Sequence, residues 1–145
     1  METVRKSAVV PYSAVQMYAL VNDIESYPGF LPWCSGARVD SREDRRLTAS
    51  ITFALAKLHY TFSTENAMDP GRRIDVRLLS GPFRHLGGHW IFEPAGARSC
   101  RVALEMHFEF KNRAVQLALG KPFNHIVNSL VDVFTRRAAQ VYGSN

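Results

Sequence analysis

The 145-residue sequence has little cysteine and lacks a long apolar run. Its 2 cysteines, Cys34 and Cys100, lie in no paired-cysteine motif, which excludes a disulfide framework and a zinc knuckle. No stretch approaches the ~18 consecutive apolar residues that a membrane-spanning helix requires, and the apolar stretch near the first residue is too short for a signal peptide. We therefore expect a protein of the reducing cytoplasm, at most peripheral on the inner face of the membrane.

Motifs for phosphate binding and nucleophilic catalysis are also missing. Gly81-Pro82-Phe83 and Gly87-Gly88 match neither a phosphate-binding loop nor a serine nucleophile elbow. Cys34 has no identifiable partner base, so packing as a small apolar residue is its favoured role. These absences give catalysis little support.

The histidines and carboxylates form no recognisable metal or acid–base site. His85 and His89 are four residues apart, a spacing that suits two metal ligands on a helix, but two intervening glycines disfavour a helix. Glu105, His107 and Glu109 alternate along a predicted strand and so share its polar face, which favours a solvated surface over an acid–base pair. We predict no catalytic residue, no metal site and no required cofactor.

What is present is the composition of one folded domain. The chain is 46% hydrophobic and contains 9 Phe, 5 Tyr and 2 Trp, far more aromatic residues than a disordered chain carries. A length of 145 residues suits a single hydrophobic core. We therefore predict one domain that spans residues 1–145.

The charge is moderately basic. Lys and Arg total 18 against 13 Asp and Glu, which gives a net charge of +5 and makes RNA and acidic lipid candidate partners. Arginine predominates over lysine, and its planar guanidinium binds phosphate bidentately. A GC-rich genome would produce the same bias without any function, so both interpretations stay open.

The first third of the chain predicts a strand and two short helical segments. Residues 3–10 form the strand, which Pro11 ends because proline lacks the amide hydrogen that a strand ladder needs. Ser13 and Gln16 have the spacing of a capping box, and the helix that they start ends near Asn22. A second, short helical turn follows to Tyr27, and a loop rich in proline and glycine carries residues 30–33.

From residue 37 to residue 111 the apolar residues alternate with polar ones, which predicts strands. Turn signals at Glu43-Asp44, Asp69-Pro70-Gly71 and Pro94-Ala95-Gly96 separate the runs by short distances, so the strands should form an antiparallel meander. Such a sheet has one apolar face that another element must cover.

The C-terminal segment supplies that cover. Its apolar residues fall at steps of three and four, and Gly143 stands where a helix C-cap belongs. The buried stripe is predicted to comprise Phe123, Ile126, Val127, Leu130, Phe134, Ala138 and Val141. Gly120 and Pro122 are expected to interrupt or kink the helix that begins near Arg113, which would make residues 114–119 a separate arm or lid.

Several sequence runs carry a family resemblance. They are Val10-Pro11-Tyr12-Ser13-Ala14, Tyr27-Pro28-Gly29-Phe30-Leu31-Pro32-Trp33-Cys34, Gly81-Pro82-Phe83 with Leu86, Gly88, Trp90 and Phe92, then Phe108-Glu109-Phe110, and finally Phe134, Arg137, Ala138, Val141 and Tyr142. Over essentially its full length the sequence resembles the coenzyme Q binding family, and more closely the bacterial RatA-type members. That family is similar to START-like lipid-binding domains and to proteins labelled polyketide cyclases.

The resemblance implies a fold of the α+β class. In this START-like helix-grip fold, a curved antiparallel sheet of about seven strands wraps a long C-terminal helix and encloses an apolar tunnel, in the order β-α-α-β6-α. The predicted elements agree with that order. An isoprenoid chain that buried ~400 Å² in such a tunnel would gain on the order of 10 kcal/mol before the costs of binding.

The resemblance also implies two functions of different classes. One is the non-enzymatic binding of ubiquinone, or of a similar isoprenoid lipid, in support of respiratory electron transfer. The other is a toxin-like association with the large ribosomal subunit that blocks subunit joining and so inhibits translation. Cyclase chemistry on a polyketide comes only with the superfamily label and ranks last, because no acid and base point inward.

Each function has its candidate residues. The ligand would contact large apolar side chains around the tunnel, namely Phe30, Trp33, Tyr60, Phe62, Phe83, Trp90, Phe92, Met106, Phe108, Ile126, Leu130 and Phe134. Residues 30–34 and 81–83 are expected at its mouth. A ribosome or an anionic membrane surface would contact the arginines of two hairpins, namely Arg42, Arg45, Arg46, Arg72, Arg73 and Arg77. The sequence leaves open whether these hairpins converge.

Overall fold

The computed structural model describes residues 1–55 and 57–143. In chain order the elements are β1 (Glu2–Val10), α1 (Ala14–Asn22), a 3₁₀ helix (Ile24–Gly29), β2 (Cys34–Arg42), β3 (Arg46–Leu55), β4 (Leu58–Asp69), β5 (Arg73–Ser80), β6 (Phe83–Gly96), β7 (Ser99–Phe110) and α2 (Arg113–Tyr142). The predicted α+β class and the order β-α-α-β6-α are confirmed. None of the helices in these ranges is long and apolar enough to cross a membrane.

The strands form one antiparallel sheet in the order β1-β7-β6-β5-β4-β3-β2. Strands β2 to β7 are consecutive neighbours and form the predicted meander, while β1 pairs with β7 from Glu2 opposite Phe108 to Val10 opposite Cys100. The inner face of the sheet carries the buried residues of alternate positions, and α2 lies across it. This is the helix-grip arrangement, so the core lies between one sheet face and one long helix.

The predicted capping box starts α1. The Ser13 hydroxyl accepts a hydrogen bond from the Gln16 backbone N–H at 3.1 Å, and the Ser13 backbone N–H donates to the Gln16 side chain at 2.9 Å. These bonds satisfy backbone groups that a helix start would otherwise leave unpaired. Met17 and Val21 then bury one face of the helix against the core.

The expected interruption of the C-terminal helix is wrong, because α2 is continuous through Gly120 and Pro122, and the alternative of a kink there stays a prediction. Proline removes one backbone hydrogen bond, but Leu119 and Phe123 on either side of it are buried and anchor this part of the helix to the sheet. Residues 114–119 are therefore the first turns of α2 and form no separate arm. The pattern also wrongly assigned Val141 to the buried stripe, since this side chain is 48% exposed.

Two strand ends also differ from the prediction. Strand β6 continues through Pro94 to Gly96, and the turn falls at residues 97–98. The strand pairing is irregular between Pro94 and Gly96, and such a bulge accommodates a proline that cannot donate to the ladder. Strand β2 begins at Cys34 rather than at residue 37.

Candidate functional site

A cavity of about 100 Å³ lies between α2 and the inner face of the sheet. Strands β3 to β7 form its floor, α2 forms its roof, and the segment from α1 to Trp33 closes one side. The lining residues are Val21, Ile24, Tyr27, Leu31, Trp33, Ile51, Phe62, Thr64, Asn66, Ile74, Val76, Leu86, Trp90, Met106, Phe123, Ile126, Val127, Leu130 and Phe134.

The hollow follows from the position of α2. The helix packs closely against β1 and β7, at one side of the sheet, and stands farther from β3, β4 and β5. Side chains from the two layers fill most of this wider gap but not all of it. The half-buried lining residues Trp33, Ile51, Val76 and Leu130 form the rim of the cavity, so an opening to solvent lies between them.

The cavity is smaller than the tunnel that the family resemblance implies. Ligand pockets usually measure about 300–1,000 Å³, and an engineered cavity of ~150 Å³ in another protein accepts a benzene molecule. A volume of about 100 Å³ holds at most a ring-sized group. An isoprenoid chain would therefore have to extend beyond the cavity, through the rim.

Seven of the predicted ligand contacts line this cavity, and their role in binding stays a prediction. They are Trp33, Phe62, Trp90, Met106, Ile126, Leu130 and Phe134. Both tryptophans of the chain are among them. The structure thus brings together residues from the 30–33 loop, three strands and α2.

The other five, namely Phe30, Tyr60, Phe83, Phe92 and Phe108, do not line the cavity. Phe83 and Phe108 pack against Phe123, with ring centroids 5.0 Å apart in both pairs, in a region of solid packing. The 81–83 segment consequently does not form the mouth.

The remaining three lie behind or outside the lining residues. Phe92 stacks on Trp90 with ring centroids 6.2 Å apart. Tyr60 stacks on Phe53. Phe30 packs against Phe134 at 5.4 Å, and the Arg137 guanidinium lies 4.8 Å from the centroid of its ring. These contacts place all three rings in the packing around the cavity wall.

The sequence prediction missed two buried polar residues of the lining, Thr64 and Asn66. Both belong to β4, where alternate residues from Phe62 to Met68 face inward. Their exposed fractions are 4% for Thr64 and 8% for Asn66. The period-2 alternation of β4 does contain this signal, but a search restricted to large apolar side chains passes over it.

The polar groups of the cavity include no acid–base pair. The Thr64 hydroxyl donates a hydrogen bond to the Asn66 side-chain oxygen at 2.9 Å. The Tyr27 hydroxyl donates to the Val21 carbonyl, and burial raises the pKa of that hydroxyl, so it stays protonated. The lining contains no Asp, Glu, His, Lys or Arg.

Cys34 lies beside the cavity wall, next to Trp33. It is buried, its thiol contacts the Gly36 carbonyl at 3.4 Å, and burial raises the pKa of the thiol. A neutral thiol is a poor nucleophile, which favours the packing role. In residues 1–55 and 57–143, no three His, Cys, Asp or Glu side chains are arranged to hold a metal ion.

The two arginine-bearing hairpins converge at one end of the sheet. The Met68 backbone N–H donates to the Arg45 carbonyl at 2.9 Å, so the β2–β3 turn lies against the end of β4. Asp69 sits between the turns, 4.0 Å from an Arg45 nitrogen and 3.7 Å from an Arg72 nitrogen. We call the exposed group at this end the arginine surface, comprising Arg42, Arg45, Arg46, Arg72, Arg73 and Arg77.

Carboxylates neutralise part of the arginine surface. Arg46 and Arg77 both contact Glu65, at 3.3 and 2.8 Å, and Arg73 pairs with Asp75 at 2.9 Å. Asp69 contacts two further arginines, and Glu43 and Asp44 lie in the β2–β3 turn itself, so five carboxylates stand beside six arginines. Exposed ion pairs of this kind contribute little to stability, and the guanidinium groups remain exposed to solvent.

The sheet, the long helix and the apolar cavity between them define a START-like helix-grip protein. The chain belongs to the polyketide cyclase / dehydrase and lipid transport family, whose profile matches residues 10–135.

Relatives with curated names point in two directions. The chain is 44% identical over 143 residues to a protein of Vibrio cholerae named ribosome association toxin RatA, which covers 99% of both chains. It is 40% identical over 144 residues to the Escherichia coli protein of the same name, covering 99% of this chain and 91% of the relative. It is also 26% identical over 142 residues to a Xenopus laevis coenzyme Q-binding protein COQ10 homolog B, covering 95% of this chain and 58% of the relative.

Solved structures show the same fold. An 18 kDa protein of Caulobacter crescentus matches with a TM-score of 0.76 and 31% identity, over 99% of this chain and 100% of that one. A Thermus thermophilus protein matches with a TM-score of 0.82 and 22% identity, over 97% and 99%. The ZhuI aromatase/cyclase of a Streptomyces species has a TM-score of 0.80 at 14% identity, over 96% and 94%, which shows the fold alone.

Proposed function

We propose that this protein binds an isoprenoid lipid, ubiquinone or a close relative, without transforming it, and thereby supports respiratory electron transfer. The observation that carries the proposal is the apolar cavity between α2 and strands β3 to β7. Its lining offers no acid–base pair for cyclase chemistry. The likeness to a protein named for coenzyme Q binding supports the choice of ligand.

The energetics of the cavity favour a ligand. A cavity of about 100 Å³ left unfilled would cost about 2 kcal/mol at ~24 cal/mol per Å³. A bound ring or terminal isoprene unit removes that cost, and the rest of a prenyl tail gains further stabilisation where it lies against the rim. Leu130 and Ile51 there are only half buried and offer apolar surface to the tail.

Intrinsic fluorescence tests this proposal, because Trp33 and Trp90 are the 2 tryptophans of the chain and both line the cavity. Titration with a ubiquinone that carries a tail of two isoprene units should quench their emission in a saturable way. The variants Trp33→Phe and Trp90→Phe should each retain a saturable part of the quenching. Quenching that only matches that of free tryptophan amide, without saturation, would refute the proposal.

We further propose association with the large ribosomal subunit as a second function. The arginine surface supports it, because two turns combine there into one basic end. The 40–44% identity with proteins named ribosome association toxin RatA also favours it. Guanidinium groups bind phosphate bidentately, so ribosomal RNA is a suitable target.

Co-sedimentation with purified large subunits at increasing salt tests the second function. Binding should weaken steeply with salt, because counterions are released as phosphates are neutralised. The double variant Arg45→Gln/Arg72→Gln should reduce both the affinity and the salt dependence, the latter by about one unit of slope per lost phosphate contact. The double variant Arg101→Gln/Arg136→Gln removes the same charge elsewhere and should bind normally.

The arginine surface would not be the ribosome contact if both double variants sedimented alike. Complete absence of co-sedimentation at low salt would remove the second function. Binding of the protein to anionic phospholipid vesicles in place of subunits, lost in the Arg45→Gln/Arg72→Gln variant, would assign the same surface to a membrane.

A further inference from the structure

The floor of the cavity contains a polar pair in otherwise apolar surroundings. Thr64 and Asn66 are the two polar side chains that β4 contributes to the lining, and both are more than nine-tenths buried. The rim residues Trp33, Ile51, Val76 and Leu130 are all more exposed. The pair therefore lies on the floor of the cavity, where Asn66 stands directly opposite the rim residue Val76 in the β4–β5 register.

The side-chain amide of Asn66 uses its oxygen in a hydrogen bond but not its nitrogen. Its oxygen accepts the hydrogen bond from Thr64 at 2.9 Å, whereas its nitrogen Nδ2 donates to no group in the described part of the chain. Nδ2 is not fully buried, since the Asn22 side-chain oxygen is the one fully buried polar side-chain atom without a partner among the described residues. Since Asn66 lines the cavity, a molecule inside it would meet this free N–H group.

The absence of charged side chains from the cavity lining restricts which ligands could occupy it. The cavity has no Lys, Arg or His side chain to compensate an anion and no Asp or Glu to compensate a cation. Burying an unpaired charge costs several kcal/mol. The group that meets Asn66 is thus uncharged and carries an oxygen that accepts a hydrogen bond.

We propose that Asn66, held in place by Thr64, anchors the polar ring of a neutral apolar ligand by donating a hydrogen bond from Nδ2 to a carbonyl or ether oxygen. This inference rests on the proposed lipid binding and adds a direction to it. The polar ring lies against β4 on the floor of the cavity, and the apolar tail leaves through the rim.

A paired set of probes tests the anchor. The first probe is a benzoquinone with a tail of two isoprene units, and the second is a benzene ring with the same tail and no oxygen. Wild-type protein should bind the quinone at least tenfold more tightly, measured for the hydrocarbon by its displacement of the quinone and the recovery of Trp33 and Trp90 emission. A carboxylate with the same tail should bind more weakly than the quinone at pH 7.

Substitution of Asn66 then tests whether its amide causes the preference for the quinone over the hydrocarbon. Asn66→Leu keeps the approximate size of the side chain and removes the amide, so the quinone should lose about tenfold in affinity while the hydrocarbon changes by less than twofold. Thr61→Val changes a polar residue on the exposed face of the same strand and should alter neither affinity. Thermal unfolding monitored by circular dichroism checks that each variant folds.

The outcomes separate the inference from the proposed function. Equal affinity of the wild type for quinone and hydrocarbon would overturn the anchor while leaving lipid binding intact, and this comparison needs no variant to fold. Tighter binding of the carboxylate would overturn the requirement for a neutral ligand. Binding of none of the probes would refute the lipid-binding function itself, and the anchor with it.

Discussion

The two ends of the interface between α2 and the sheet are packed differently. In the first half of α2, Phe123 packs against four phenylalanines of the sheet, with ring centroids 5.0–5.9 Å apart, and is the one member of this cluster that also borders the cavity. We call the five residues Phe53, Phe83, Phe108, Phe110 and Phe123 the phenylalanine cluster. Further along the helix, Ile126, Leu130 and Phe134 face a cavity. The same amphipathic helix thus closes a solid core at one end and covers a hollow at the other.

The difference shows what makes a pocket in this fold. Large aromatic residues occur at both ends, so ring size does not separate core from site. What separates them is the distance of α2 from the sheet and the replacement of apolar residues by Thr64 and Asn66 on the floor. Stability should therefore depend mostly on the phenylalanine cluster, and ligand affinity mostly on the cavity.

The largest expected effect is at the solid end. Phe108 is 1% exposed and contacts Phe110 and Phe123, so Phe108→Ala should lower the free energy of unfolding by about 3–5 kcal/mol. Urea denaturation measures the change. Leu130→Ala, at the half-buried rim, should lower the free energy of unfolding clearly less. Equal losses of unfolding free energy in the two variants would contradict the difference in packing between the two ends.

A smaller effect is expected when the hollow end is filled. Val76→Leu adds one methylene group at the cavity wall, which should raise the free energy of unfolding by about 0.8 kcal/mol and weaken binding of the short-tailed quinone several-fold. Val9→Leu makes the same change at a side chain that is 67% exposed and serves as the control. A Val76→Leu variant with reduced stability and undiminished quinone affinity would show that the space near residue 76 is not the binding site.

The smallest effect should come from the outer face, which belongs to neither end. Hydrogen bonding from Arg77, reinforced by the charges of Arg77 and Arg46, holds the pKa of Glu65 below its usual value of 4.5. Because the pKa is depressed in the folded state, the stability that this carboxylate adds is present above pH 4.5 and is lost as the pH falls below it.

Glu65→Gln should therefore lower the melting temperature slightly at pH 7, with the difference from the wild type closing below pH 4.5. Melting curves between pH 3 and 7 measure this, with Glu43→Gln as the control because Glu43 forms no ion pair within the described residues. A difference that stayed constant across this range would contradict the assigned cause.

Much of the fold could be predicted from local patterns. The capping box at Ser13, the alternation of β7 and the stop at Gly143 each depend on residues close in the sequence, and the structure contains all three. The expected interruption at Pro122 was wrong, because tertiary packing of Leu119 and Phe123 outweighs one missing hydrogen bond. The shape of the cavity was less accessible to prediction.

Placement of a ring inside or outside the cavity depends on packing between distant strands. Phe83 and Phe108 match the pattern of an inward-facing site residue as well as Trp90 and Met106 do, and only the position of α2 distinguishes them. Convergence of the two arginine hairpins likewise follows from the β3–β4 pairing, which joins Arg46 to Ala67 in register. No local sequence signal indicates how close the two hairpins lie to each other.

Native mass spectrometry of the protein purified from its own host tests the central claim most directly. We predict one neutral isoprenoid molecule per chain in the wild type and a reduced share of loaded protein in Val76→Leu, with Val9→Leu loaded like the wild type. Wild-type protein that carries no such molecule above background, or equal loading of all three proteins, would contradict a binding site between α2 and the sheet.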